Sequence, residues 1–366
     1  MTPVRSEGSG IGSNRLLCGP GSDLPAARAV VTTAPTACAA AKPGTVSKHS
    51  SELRVAIVFI HNKVQGTREV REFSVACTIG MNRLHEEAAM PHVRPSIADK
   101  RRAFHKLHEA GCFILPNPWD VGSAKYLQGL GFKALATTSS GFAWSHGHRD
   151  GGMSRDRVLD HLTDMVEATD LPINADFENG FAPDAAGVAE SVRLAVESGV
   201  AGLSIEDSTG DASRPLHEVD AAVARIRAAR KAIDQAGGDT LLVGRAECFL
   251  HGRPDIENTV HRLKAYANAG ADCLYAPGIR TPEHISAVVA AVAPKPVNLL
   301  MGWADNLAMA EIAALGVRRV SVGGALSRSA WGGFIRAAKQ LLEHGKFDGF
   351  ADAASGKELD AFFGRV

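Results

Sequence analysis

Eight short apolar runs, each followed by polar or charged residues and separated from the next by a stretch of helical period, constrain this chain more than any other feature. The runs fall at 112–116, 134–139, 173–177, 202–206, 241–245, 273–276, 297–301 and 319–322. Runs this short and rich in strand formers suit buried strands, and their alternation with helices is the signature of a parallel sheet with crossover connections. Between them, Val188, Val192 and Val196, and then Leu216, Val219, Val223 and Ile226, recur three or four residues apart, as on the apolar stripe of a helix. Glycines in Ala269-Gly-Ala-Asp272 and Leu315-Gly-Val317 supply the left-handed residue that ends a helix just before a strand. Eight such units, with no Gly-x-Gly-x-x-Gly after the first run, predict a closed (β/α)8 barrel rather than an open doubly wound sheet.

The folded pattern begins near residue 96 and gives a body of roughly 270 residues, the size of one such barrel. Residues 96–366 are therefore expected to form the catalytic barrel with a C-terminal helical segment. Residues 1–95 are rich in Gly, Ser, Ala, Thr and Pro and are expected to be a low-order extension. Glu7 and Asp23 interrupt what could otherwise pass for an organelle transit peptide, and a start at Met81 or Met90 is a plainer reading.

Forty Lys plus Arg balance forty Asp plus Glu, so no net field attracts a nucleic acid or an anionic membrane. No apolar run approaches the roughly 20 residues of a membrane span. Six scattered cysteines without a C-x-x-C pair indicate neither a disulfide framework nor structural zinc, and fit a reduced, cytoplasmic setting.

The ends of the middle runs carry the chemistry. Pro172-Ile-Asn-Ala-Asp-Phe-Glu178 and Gly202-Leu-Ser-Ile-Glu-Asp207 finish in acids, whereas Leu241-Leu-Val-Gly-Arg-Ala-Glu247 puts an arginine in the same place. In a barrel the strand ends converge on one face, so Asn174, Asp176, Glu206, Asp207, Arg245 and Glu247 should meet there. Two acids ending adjacent buried strands repel unless a cation or an arginine neutralises them, which favours a functional role for Asp176 and Glu206, with Asp176 as the direct ligand if the neutraliser is a divalent ion. Asp120 and Asp207 are equally well explained as helix caps at βα turns. Arg245 suits either a bridge to a neighbouring acid or a clamp on a substrate carboxylate or phosphoryl group. Thr137-Thr-Ser-Ser-Gly-Phe142 offers hydroxyls and open backbone that could grip a carboxylate or simply form a polar turn. His146 and His148 read as exposed turn residues, and Cys248 as a small buried hydrophobe.

Taken together, Ser140-Gly141, Asn174-Ala-Asp176, Ile205-Glu-Asp207 and Gly244-Arg-Ala-Glu247 resemble the isocitrate lyase and phosphoenolpyruvate mutase superfamily over most of residues 97–345. The resemblance implies a Mg2+- or Mn2+-dependent barrel acting on small 2-oxo, enolpyruvyl or 2-hydroxy acids, often a tetramer that exchanges an end helix between subunits. It implies metal-shell acids at Asp176, Asp150 and Glu206, with Asn174, Glu178 and Glu247 around them. Ser140, Gly141 and Phe142 would hold the substrate carboxylate, and Arg245 and Glu206 would serve catalysis. The implied reaction cleaves or forms a C–C or P–C bond beside a carboxylate through an enolate-like state.

The chain departs from the pattern in three places. Asn174 replaces the first acid of Asp-x-Asp and removes one charge unless Glu178 compensates. The segment Asp207-Ser-Thr-Gly-Asp-Ala-Ser-Arg-Pro215 has neither the Lys-Lys-Cys-Gly-His loop of the lyases nor the asparagine of the phosphonomutase loop. The sixth run ends Ala276-Pro-Gly278 where lyases place a glutamate. A 2-methylisocitrate-lyase-like enzyme, a phosphonomutase, an oxaloacetate decarboxylase-like enzyme and a non-catalytic carboxylate-binding barrel all remain open on this reading.

Overall fold

The computed structural model describes residues 93–365. The extension expected over residues 1–95 lies outside the described residues, save its last three. Of these, Arg94 donates to the Asp170 carboxylate at 2.8 Å and to the Thr169 carbonyl at 2.9 Å, so the barrel unit already begins at Val93.

Eight parallel strands form the barrel wall: β1 Phe113–Leu115, β2 Leu135–Ala136, β3 Ile173–Asp176, β4 Gly202–Glu206, β5 Leu241–Arg245, β6 Cys273–Tyr275, β7 Val297–Leu300 and β8 Arg319–Ser321. The helices run α1 Ile97–Glu109, α2 Val121–Gly129, α3 Ser139–Ser145, α4 Arg155–Ala168, α5 Ala185–Glu197 and α6 Val219–Gln235, then α7 Ile256–Asn268, α8 Pro282–Val292, α9 Met309–Ala314, α10 Ala325–His344 and α11 Gly356–Phe363. Ladder pairing follows the order β1-β8-β7-β6-β5-β4-β3-β2. The remaining join, between β1 and β2, is made by Ala136 N–H to the Pro116 carbonyl at 3.0 Å and by the amide of Asn117, which donates to Thr137 O at 2.9 Å. Asn117 Oδ1 also accepts from Val322 and Gly323 beyond β8, so one buried side chain fastens three strand ends.

Alternation along each strand sorts side chains between two cores. Ile173, Ala175, Leu203, Ile205, Leu242, Leu274, Val297, Leu299 and Val320 face outward and join the helices, including the expected stripe Val188, Val192 and Val196. Leu115, Ala136, Leu241, Val243, Cys273 and Tyr275 face inward, where Phe104 of α1 plugs the amino-terminal end. A polar layer crosses the interior: Arg319 donates to Asn298 Oδ1 at 2.9 Å and to Asn174 Oδ1 at 3.2 Å, and Asn298 donates to Ser321 Oγ at 2.9 Å. Gly270 and Gly316 have φ of 109° and 86°, the left-handed helix ends that their sequence context predicts.

One expectation needs adjusting. The helix placed from Leu216 starts at Val219, because Leu216 instead pairs antiparallel with Ser208 and closes the β4–α6 loop into a small hairpin. The C-terminal helix α11 lies on α2 of the same chain, with Phe362 and Tyr126 ring centroids 4.6 Å apart.

Candidate active site

Arg245 ends β5 with its side chain inward, at the carboxyl end of the barrel. Its NH1 donates to Asp176 Oδ1 at 2.8 Å, its NH2 lies 3.4 Å from Glu206 Oε2, and its Nε donates to Glu247. The guanidinium also sits 5.1 Å from the ring centre of Tyr275, its partner in the β5–β6 ladder. Three acids from β3, β4 and the end of β5 thus converge on one arginine, and register makes this so: Glu206 and Arg245 are direct neighbours across the ladder.

Asp176 is fixed from the other side by the β2 turn. Its Oδ2 accepts the Ser139 N–H at 3.0 Å, and its own N–H donates to Thr137 Oγ1 at 2.9 Å. Ser139, a residue absent from the expected set, thus steadies Asp176 through its N–H, and its side chain opposes the upward push on the Asp150 carboxyl. Its signal in the sequence is the hydroxyl run at 137–140. Glu178 reaches the same mouth by a backbone device: its φ of 46° is left-handed, a strained state for a residue with a side chain, and it turns the chain after the outward-facing Phe177.

The electrostatics mark a surplus of negative charge. Burial and then the Asp176 and Asp150 carboxylates push Glu178 up to about 8, against the pull of Arg245. Asp150 rises through burial and the same Asp176 charge. Burial also lifts Glu206 well above the carboxylate range despite Arg245, with Glu247, Asp176 and Glu178 adding to the rise. Burial opposes the charge on Arg245, but Glu247, Glu206 and Asp176 outweigh it and hold the guanidinium protonated. Five acids therefore share one cation.

Such a donor set fits a divalent ion. Oxygen ligands and a charge excess are what Mg2+ requires, and a Mg2+ site keeps several waters rather than an all-protein cage. Among the described residues no three His, Cys, Asp or Glu side chains are arranged to hold a metal ion by themselves.

The other expected residues are distributed as follows. Asn174 faces inward but one layer lower, about 6.5 Å down the strand from Asp176, and is bound to Arg319. The acid pair at this strand end is consequently Asp176 and Glu178, so Asn174 takes no charge from the mouth. Phe142, expected to hold the substrate carboxylate, stacks its ring on His161 at 3.9 Å, and its N–H donates to Thr138 O at the start of α3. Gly141 is buried, and a Cβ there would stand 2.9 Å from Trp119 Cβ, so packing explains this glycine. Ser140 remains at the first turn of α3, its hydroxyl 3.1 Å from that of Thr138.

Asp120 caps α2 through Ser123. Asp207 is buried behind the acid ring, bonded to Arg262, to Tyr266 and to the Glu247 N–H rather than to Arg245. Cys248 is fully buried, and burial pushes its thiol up. His146 and His148 are exposed. Tyr275 escaped notice because it lies within an apolar run; burial raises its hydroxyl to about 12.

The sequence profile of the phosphoenolpyruvate phosphomutase family matches residues 104–342. A Burkholderia cenocepacia structure, provisionally assigned as a lyase or mutase, superposes with a TM-score of 0.71 at 48% identity over 73% of this chain and 97% of that one. Oxaloacetate decarboxylase of Paraburkholderia xenovorans is 30% identical over 237 residues, 60% of this chain and 74% of the relative. Oxaloacetate acetylhydrolase, solved with its product oxalate, superposes with a TM-score of 0.66 at 26% identity over 73% of this chain and 94% of that one. Barrel, strand-end acids and profile agree: the chain belongs to the phosphoenolpyruvate phosphomutase family of the isocitrate lyase and phosphoenolpyruvate mutase superfamily.

Proposed function

We propose that this chain is a Mg2+-dependent enzyme that cleaves or forms a C–C or P–C bond next to the carboxylate of a small 2-oxo, enolpyruvyl or 2-hydroxy acid. The observation that carries the reading is the acid ring around Arg245, in which negative charge exceeds positive. Asp176, Asp150, Glu178 and Glu206 would hold the metal, directly or through its waters. When bound, the ion would supply positive charge beside a 2-oxocarboxylate and so stabilise an enolate.

The protein's own groups do the rest. Arg245 presents a rigid guanidinium to the substrate's anionic end, pre-aimed by Glu247 and by the Tyr275 ring. Ser140 and the first turn of α3 face the substrate carboxylate. Thr137 and Ser139 keep Asp176 from rotating away from the mouth.

One observation favours decarboxylation of an oxaloacetate-like acid within this class. The β4–α6 loop carries no cysteine, and Cys248 is buried, so neither places a thiol to protonate a leaving group. Loss of CO2 needs no such acid in the bond-breaking step.

The test is thermal stability with Mg2+ and oxalate, an enolate mimic, added separately and together. Stabilisation that needs both and vanishes in Asp176→Ala supports the reading. A response to oxalate alone would instead identify a carboxylate binder. A screen of 2-oxo and 2-hydroxy acids for release of pyruvate, glyoxylate or phosphate then separates C–C from P–C chemistry.

We also infer a homo-oligomer. Helix α10 leaves Trp331, Phe334, Ile335 and Leu342 exposed on one stripe, Phe334 at 62% and Leu342 at 86%. A monomeric mass in light scattering would refute this.

A further inference from the structure

Beside the mouth, on its α7 side, lies a group of buried side chains that the proposed chemistry does not use. Asp207, the residue after β4, is 1% exposed. Its Oδ1 accepts the backbone N–H of Glu247 at 2.8 Å. Its Oδ2 accepts from the Tyr266 hydroxyl at 2.7 Å and from Arg262 at 3.0 Å, both on α7. Arg262 donates again to the His217 carbonyl at 2.8 Å, and His217 N–H returns to the Asp207 carbonyl at 2.8 Å.

Asp207, through its carboxylate, its backbone carbonyl and its partner Arg262, therefore joins four pieces: the end of β4, the end of β5, α7 and the far end of the β4–α6 loop. Close approach of α7 to the strand is built in, because a Cβ on Gly244 would stand 2.9 Å from Tyr266 Cβ. What Asp207 grips on β5 is the backbone of Glu247, whose own carboxylate orients Arg245. Glu206, on the other side of Arg245, precedes Asp207 in the chain. The two acids that flank the guanidinium on this side are thus set by one anchor. A hydrophobic knot could hold α7 equally well, but it could not bond an N–H of the strand end.

We propose that Asp207, held by Tyr266 and Arg262, is a positioning residue for the reaction: it fixes the Glu247 backbone and thereby the aim of Arg245. The inference rests on reading Arg245 and its acids as the active site.

Its test measures oxalate binding in the presence of Mg2+ by calorimetry, well below the unfolding midpoint, for the wild type, Tyr266→Phe, Asp207→Asn and Leu263→Ala. Leu263 is a fully buried core residue of the same helix and serves as a control for loss of stability. Losing the tyrosine hydroxyl should weaken oxalate about tenfold, the scale of one hydrogen bond to a charged group, and Asp207→Asn should weaken it further. Leu263→Ala should lower the Tm at least as much as Tyr266→Phe and bind oxalate like the wild type.

Wild-type affinity in Tyr266→Phe overturns the inference, whether or not Asp207→Asn folds. So does a loss of affinity in Leu263→Ala that tracks its loss of Tm, since the role would then be structural. If the wild type itself shows no Mg2+-dependent oxalate binding, the active-site reading has failed and the inference falls with it.

Discussion

Two arginines lie inside this barrel, in opposite company. Arg319, in the lower layer, is surrounded by neutral groups: Asn298, Asn174 and, at 3.4 Å, the ring of His108. Arg245, at the mouth, is outnumbered by acids. The lower layer is complete, since each amide oxygen has its donor and nothing charged has to arrive. Burial and Arg319 hold His108 down at about 3, so this end of the barrel keeps one charge state across the physiological range. At the mouth, burial and mutual repulsion raise the carboxyls of Glu178 and Glu206 above the ordinary carboxylate range. The contrast supports the proposed site: a buried cation balanced by dipoles serves the fold, whereas a cation in excess acid is the arrangement expected where another charge is received.

Replacing each arginine in turn is the sharpest way to break this comparison. Arg245→Met should weaken Mg2+-dependent oxalate binding by roughly a hundredfold or more, as expected for a lost charge-assisted clamp. Calorimetry would show it, and unchanged affinity would remove Arg245 from the substrate. Arg319→Met should instead destabilise the chain by about 3 kcal/mol in urea unfolding, because it strands buried amide oxygens. Oxalate affinity of the folded fraction should stay close to wild type.

A smaller effect comes from pH. Glu178 is raised from 4.5 to about 8, so between these values the folded state holds more protons than the unfolded one. Without metal, this contribution is favourable below pH 4.5 and is lost as pH rises through 8. The Tm should fall by on the order of 5 °C from pH 5 to pH 8, Mg2+ should reverse the fall, and Glu178→Gln should flatten it. The smallest change is expected at the rim. Asp120→Ala should cost about 1 kcal/mol through its cap on α2 and leave oxalate binding unchanged. A binding defect there would extend the site beyond the acid ring.

Much of this was legible in the residues. The runs at 202–206 and 241–245 coincide with β4 and β5, and the other strands differ from their runs by one to three residues at an end. Convergence of Asp176, Glu206, Glu247 and Arg245 followed from barrel topology alone. Depth was harder to read. Asn174 and Asp176 share an inward parity, and motif spacing cannot tell which layer meets the mouth until ladder register is known. Glu178 depends on a left-handed backbone that no side-chain pattern announces. Phe142 stacks on a histidine nineteen positions away, a long-range contact outside the reach of local pattern.

The fastening at Asn117 has a consequence for how the wall comes apart. Seven strand junctions are ladders; the eighth is a seam held by one amide side chain and a backbone bond to Pro116. Thermal fluctuations should unzip the cylinder there first, and the amide proton of Ala136, which bonds across the seam, should exchange with deuterium well before those of Leu241–Arg245. The breathing edge would then adjoin the hydroxyl run that steadies Asp176, so ligand entry and loosening of the seam could draw on the same motion.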